Sequence, residues 1–502
     1  MTILKSRSGR AAVAVLAGGL VLMASTTPVT AATKKKTTTK KKTTVTTKAA
    51  VTTAATTTPA STATSAATTK PAAKGTSQFG KQADGTYLGK GGFKLDLSKC
   101  PKDYDVNQGV SATEIRAFSS TTKSGPLAGF GLISDGMNSY FKYINEQGGV
   151  AGHKVTMDIK DDVYDASKTK ANVSEAIASR KYAALVATLG SPNNLAVWDD
   201  TNKECMPQLL NATGLNNWGD VDDHPWVTGM QLDYTSEAIL WSEWVKQQFP
   251  GGAKVAMLTY NNDFGKSYSK GFKAAIKGTN ISVVKEELHE ATAPNLTNQM
   301  TNIDSVLPDV ILLQTTAVFC TQAMAEIEKR AIKAKVMMSA TCASLTQFFK
   351  PLIDQGLTGD GTFMVQSGKD VNDPEFKDDP FVKLFHSVAK GQGLDDTQST
   401  YATGWFYAWY YVEILREAAT YEGGINRANM MLAARGIDKT MPLFLDGIRT
   451  QMNGLQDAYL TEGGRIAQYK VRDPKVLGTF FGGDVIDKNG ALGTFKKFNA
   501  LG

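Results

Sequence analysis

Two small hydroxyl residues define the chemistry to look for in this chain. Ser191, in the run LGSPNN, stands where a predicted strand (183–190) gives way to a helix start. Free backbone N–H groups and the Ser191 hydroxyl meet there, and a helix N-terminus favours a carboxylate. Thr213 follows the next predicted strand (206–213) in the turn NATG. Both residues also suit helix capping and turn formation, which Ser and Thr perform routinely.

Other chemistries find little support. The sequence has no GxSxG, HExxH or P-loop, and the first strand–helix turn, SGPLAGFG, lacks the GxGxxG spacing of dinucleotide sites. Asp161-Asp162 and Asp222-Asp223 read as solvated strand-end and loop acids, so no enzymatic activity is expected. The four histidines, His153, His224, His289 and His386, are scattered and no CxxC occurs, which argues against a zinc cluster, a thiol redox centre or any cofactor. The four cysteines suit an exported chain in which disulfides persist. Cys320 and Cys342 each follow a predicted strand (309–316 and 335–342), and adjacent strand ends would bring them together; Cys100 with Cys205 is the second expected pair, although spacing alone leaves the connectivity open.

The first residues stand apart from the body. Lys5, Arg7 and Arg10 precede an apolar run over residues 11–25, and Val29-Thr30-Ala31 offers a small-residue cleavage site, so residues 1–31 read as a secretory signal peptide. Residues 32–95 read as a disordered linker, because its Thr/Ala/Lys-rich stretch cannot bury enough apolar surface to offset chain entropy. The chain carries 55 Lys and Arg against 48 Asp and Glu, but 12 of the cations and none of the acids fall within residues 1–75. The body is therefore net acidic, and nucleic-acid binding loses its electrostatic support.

These residues must be positioned by an alternating scaffold. Short apolar strands are predicted at 114–120, 154–162, 183–190, 206–213, 254–261, 281–288, 309–316, 335–342 and 361–367, separated by helical patterns such as 131–145, 235–248 and 265–277. That alternation means right-handed crossovers and parallel sheets, and its length suits two doubly wound lobes better than one barrel. On the first helix Ile133, Met137, Tyr140, Phe141 and Ile144 share one face. The stripe Trp405, Phe406, Trp409, Tyr410 and Val412 in the helix at 398–420 reads as lobe core or interface rather than a ligand platform.

The order and wording of SGPLAGFG, YFKYINEQGGVAGHKVTMDIKDDVYDASK, LGSPNN, MPQLLNATG, YNNDFGKSYSKGF and STYATGWFYAWYYVEILREA resemble the type I periplasmic binding proteins of branched-chain amino acid ABC transporters, the leucine/isoleucine/valine-binding family. The resemblance covers most of residues 108–490. It implies an α/β fold of two Rossmann-like lobes joined by a three-strand hinge, lobe 1 comprising 108–230 and 365–465 and lobe 2 comprising 231–364 and 466–502, with crossings near Met230, Gln366 and Tyr469. It implies that Ser191, with its neighbours Pro192 and Asn193, and Thr213 grip a ligand carboxylate. Phe130, Phe264 and Phe319 would occupy aromatic wall positions; at the first two, many amino-acid binders place tyrosine, so a stacking wall is kept and hydroxyls are lost.

The sharpest departure concerns the ligand ammonium. Amino-acid binders of the family place an acidic residue in the loop after the strand written here KVMMSATC, where this chain has Thr341 and Cys342. A desolvated ammonium without a carboxylate partner is costly, and Asp233 or Asp263 would have to substitute from another loop. The expected ligand is therefore a small carboxylate- or amide-bearing apolar or aromatic molecule, with a branched-chain amino acid second. The resemblance implies a secreted, envelope-associated monomer that delivers this solute to the membrane permease of an ABC importer. The alternative is an envelope sensor or scaffold using the same fold without transport.

Overall fold

The computed structural model describes residues 77–496. The predicted signal peptide 1–31 and most of the predicted linker lie outside the described residues. The end of that linker, 77–95, is folded, which corrects its boundary: Gly80–Lys81, Tyr87–Leu88 and Lys94–Leu95 form a small antiparallel sheet. Tyr87, Phe93 and Leu95 are buried against the body. Large apolar side chains return to the sequence here and supply the burial that the Thr/Ala/Lys stretch lacks.

Two sheets carry the body. In the first, β1 (Glu114–Thr121), β2 (Lys154–Asp161), β3 (Ala184–Val186), β4 (Gln208–Asn211) and β5 (Val227–Gly229) lie in the order β2-β1-β3-β4-β5, parallel throughout. The second holds β6 (Ala253–Tyr260), β7 (Ile281–His289), β8 (Val310–Gln314), β9 (Lys335–Met338) and β10 (Phe363–Gln366), in the parallel order β7-β6-β8-β9-β10. It continues antiparallel through β11 (Gly463–Lys470) and β12 (Thr479–Gly482), while Ile486–Asp487 also pairs with β11. The central strands read as unbroken apolar runs, VILLQ in β8 being buried at every position, because helices cover both faces. Each sheet is the centre of one lobe.

The helices that matter for the site begin where strands end. They are α1 (Leu132–Glu146), α2 (Ala166–Ser179), α3 (Ser191–Leu195), α4 (Tyr234–Gln248), α5 (Asp263–Ala275), α6 (Val318–Lys329) and α7 (Ser399–Ala418). Asp165, Asp233 and Asn262 cap α2, α4 and α5 by accepting backbone N–H bonds. The expected face of α1 is buried, and it packs on α7 so closely that a Cβ on Gly404 would stand 2.1 Å from the Ile133 carbonyl oxygen. Trp405, Tyr410 and Val412 lie in the first-lobe core, with Tyr140 edge-on to Trp405 at 5.0 Å. Phe406 instead reaches the cavity described below.

The chain passes between the sheets after β5, after β10 and into β11. The third passage thus precedes Gly463 and is not at Tyr469, which is fully buried in the second-lobe core with its ring 3.9 Å from that of Phe349. The reason is register: β11 runs along β10 from Arg465↔Gln366 to Gln468↔Phe363, so its whole length belongs to the second sheet. Both disulfides form, Cys100–Cys205 with Cα atoms 5.6 Å apart and Cys320–Cys342 with Cα atoms 6.1 Å apart. Among the described residues no helix is long and apolar enough to cross a membrane.

Candidate functional site

The carboxyl ends of the two parallel sheets face one another across a cavity of about 260 Å³. On the first-lobe side, Phe130 follows β1 in a short 3₁₀ turn, Tyr164 follows β2, and Leu189 to Ser191 follow β3. Gly190 has φ of 98°, and a Cβ there would sit 2.6 Å from the Tyr164 ring, so glycine serves both the turn and the close approach. Ser191 is 1% exposed, and its hydroxyl lies 2.6 Å from that of Thr213. Thr213 stands behind Ser191 rather than on the cavity wall, and its carbonyl accepts a bond from the Trp218 indole at 3.1 Å.

The second lobe supplies Phe264 from the start of α5, Thr316 after β8, and Ala340, Thr341 and Phe348 after β9. Phe264 is held edge-on to Tyr234, their ring centroids 4.9 Å apart. Phe130 and Phe348 face each other across the cleft at 6.1 Å. The Cys320–Cys342 bridge ties the loop that carries Thr341 to the first turn of α6. Leu127, Ile133, Phe406 and Phe444 extend the apolar wall, and Gln231, Gln366 and Tyr407 interrupt it. Gln231 donates to the Tyr407 hydroxyl at 2.8 Å. The Gln366 carbonyl accepts from Arg465 at 2.9 Å, while its amide nitrogen has no protein partner.

Of the residues expected to bind a ligand, Phe130, Ser191, Phe264 and Thr341 line the cavity together. Pro192 and Asn193 do not, since α3 turns them away; Asn193 is fully buried and donates to Thr169 at 2.7 Å. Phe319 is also a correction. It is fully buried behind the wall, 4.4 Å from the His289 ring, because the phase of α6 points it inward while neighbouring Val318 is exposed. Asp233 caps α4, accepting from the Ser236 N–H at 2.9 Å, and neither it nor Asp263 lines the cavity.

Two acids do line it, Asp370 and Glu237, both missed by sequence reasoning, and the one on the second-lobe wall is Glu237. It sits on the first turn of α4, 1% exposed, accepting from the Ala340 N–H at 2.8 Å and the Tyr268 hydroxyl at 2.6 Å. Burial pushes its carboxyl up to about 8, against the pull of these two bonds. Burial thus works toward the protonated form while the two bonds, both accepted by the carboxyl, work toward the ionised one. No sequence motif marks Glu237; only the fold brings α4 against the loop after β9.

One edge of the cavity is closed by direct bonds between the lobes. The Leu345 N–H donates to Asp370 at 2.9 Å, and Ser399 donates to the same carboxylate at 2.8 Å. The Ser399 N–H meets Thr346 at 3.1 Å, and Thr400 donates to Gln347 at 2.7 Å. Burial raises the pKa of Asp370. Among the described residues no group of His, Cys, Asp and Glu could hold a metal ion.

A family model described as periplasmic binding protein matches residues 119–470. Among solved structures, the chain is similar to a fatty acid ABC transporter substrate-binding protein from Thermomonospora curvata, at 19% identity and TM-score 0.63, over 82% of this chain and 97% of that one. It is similar to a branched chain amino acid ABC transporter from Thermus thermophilus with bound valine, at 16% identity and TM-score 0.65, over 77% and 100%. A solute binding protein from R. palustris in complex with 4-hydroxybenzoate gives 18% identity and TM-score 0.61, over 74% and 96%. At these identities the likeness shows the fold. No curated protein sequence matches the chain.

Proposed function

Because the chain belongs to the periplasmic binding protein family, we propose that it is an extracytoplasmic solute receptor that captures a small apolar molecule bearing a carboxylate or amide and delivers it to the permease of an ABC importer. The observation that carries this reading is the cavity itself, at the facing carboxyl ends of two parallel sheets, where such folds hold ligands. Its walls are largely aromatic and aliphatic, with Ser191 at one side to receive an anionic or carbonyl oxygen, while its two acids, Glu237 and Asp370, are buried and already hydrogen-bonded to the protein. The structural neighbours described as binding valine or 4-hydroxybenzoate, and the one described as a fatty acid transporter component, span the same range from amino acid to plain carboxylate. The lobes, 108–230 with 365–465 and 231–364 with 466–502 in approximate bounds, would close about the three passages between the sheets.

A thermal-shift screen of the full chain against amino acids, aromatic acids, amides and fatty acids tests the reading, since a ligand that binds only the folded state raises Tm. A shift with aromatic or aliphatic carboxylates or their amides, weakened in Ser191→Ala, is the expected result. Tight binding of leucine with the carboxylates inert would reverse the choice of ligand. A folded protein with no shift across the panel would favour an envelope sensor or scaffold.

A further inference from the structure

We propose that Glu237 is a positioning residue that sets the hydrogen-bond polarity of the second-lobe wall through a chain of hydroxyls, so that the wall receives an acceptor group of the ligand, a carboxylate or carbonyl, with linked proton uptake. This rests on the solute-binding reading of the cavity.

The chain is continuous. Glu237 Oε2 lies 2.6 Å from Tyr268 Oη, which lies 3.0 Å from Ser339 Oγ. Ser339 Oγ is 2.9 Å from Thr341 Oγ1, and Thr341 Oγ1 is 3.0 Å from Thr316 Oγ1. Tyr268 and Ser339 are fully buried, while Thr341 and Thr316 line the cavity. Each hydroxyl has one proton to donate, so the direction of the first bond biases the others. An ionised Glu237 only accepts: Tyr268 donates its hydrogen bond to it, Ser339 donates to Tyr268, and the threonine hydroxyls donate inward. A protonated Glu237 donates to Tyr268, which is then free to donate to Ser339, Ser339 to Thr341, and Thr341 to Thr316. The Thr316 proton is left for the cavity. The second state meets an acceptor; the first meets a donor.

The groups facing Glu237 do not force ionisation. Asp233 and Tyr234 stand on its own helix start, and Asp233 raises its pKa further. The α5 helix presents Tyr268, and the loop after β9 presents a backbone N–H and hydroxyls. An acceptor ligand therefore selects the protonated form, and above the pKa of the free site one proton enters from solvent as the ligand binds.

Calorimetric titration of the full chain tests this with 4-methylpentanoate, octanoate and phenylacetate, and with leucine as the ammonium-bearing counterpart of the first. The carboxylate probes stay ionised between pH 7 and 9, so their own titration does not intrude. At pH 9, comparing buffers of different ionisation enthalpy, uptake of close to one proton per carboxylate bound is expected, and affinity falls about tenfold between pH 7 and 9. Glu237→Gln keeps one acceptor for Ala340 and one donor for Tyr268, so it should bind while losing both the pH dependence and the proton uptake. If that variant fails to fold, the wild-type proton count decides, with Tyr268→Phe as the second break in the chain. Carboxylate binding with no proton exchange, or preferential binding of leucine, overturns this proposal and leaves a solute receptor standing. No binding of any probe, together with a silent thermal-shift panel, overturns the receptor reading itself.

Discussion

At the scale of single residues, Ser191 is the side chain whose loss should be felt by ligand and hardly by the fold. Its hydroxyl is shared with Thr213 and reaches the Tyr234 hydroxyl, so Ser191→Ala should lower affinity several-fold, on the order of 1 kcal/mol for one hydrogen bond. Isothermal titration should show this with Tm nearly unchanged. Thr213→Val should have a smaller effect of the same sign, because Thr213 acts from behind Ser191. What the sequence revealed here followed local geometry. LGSPNN announces a strand end and a helix start in one phrase, so Ser191 could be placed without the fold. Phe319 could not, since its orientation depends on the phase of α6, and a shift of one residue decides whether a ring faces ligand or core. Glu237 was hidden for a different reason: its partners, Tyr268 and Ala340, lie in other elements, and nothing about an acid in a helical first turn foretells burial.

At the scale of elements, the seam between α1 and α7 and the loop after β9 make opposite kinds of demand. Gly404→Ala places a methyl group against a helix backbone that has no room for it, and should destabilise by about 1–3 kcal/mol in chemical denaturation, as overpacking does. Removing the bridge by Cys320→Ser with Cys342→Ser frees a loop of sequence separation 22, worth roughly 3 kcal/mol. Because that loop carries Thr341, affinity should fall along with stability, which titration of the oxidised wild type and the double variant would reveal. The periodic helices and strands were legible because each is long and buries one face. The short π-helical segment Leu345–Phe349, which reaches across to Asp370, Ser399 and Thr400, was not legible: LTQFF has no period, and its meaning lies in what it touches.

At the scale of the whole molecule, buried acids impose a pH slope on stability. Glu237 is raised to about 8 and Asp233 to about 6 in the folded state, so the native protein holds protons that the unfolded chain releases. The stability these two groups contribute is fully present below the ordinary carboxyl range and is lost as pH rises through the folded values. His289, lowered to about 4 by burial, acts in the opposite sense, its contribution growing as pH rises from about 4 to its ordinary value of 6.5. For these three groups together the decline should run in two stretches, about pH 4.5 to 6 and about pH 6.5 to 8, each of roughly 2 kcal/mol, with denaturant midpoints measured across both as the check. The small sheet formed by residues 80–95 has a mechanical consequence. Gly80 is bridged to Glu422, and Cys100 is bonded to Cys205, so this segment is fastened to the first lobe twice. Any pull arriving along the chain at residue 77 is borne by that lobe and ends at the Cys100–Cys205 crosslink. Among the described residues, the load path that enters at residue 77 therefore stays within the first lobe.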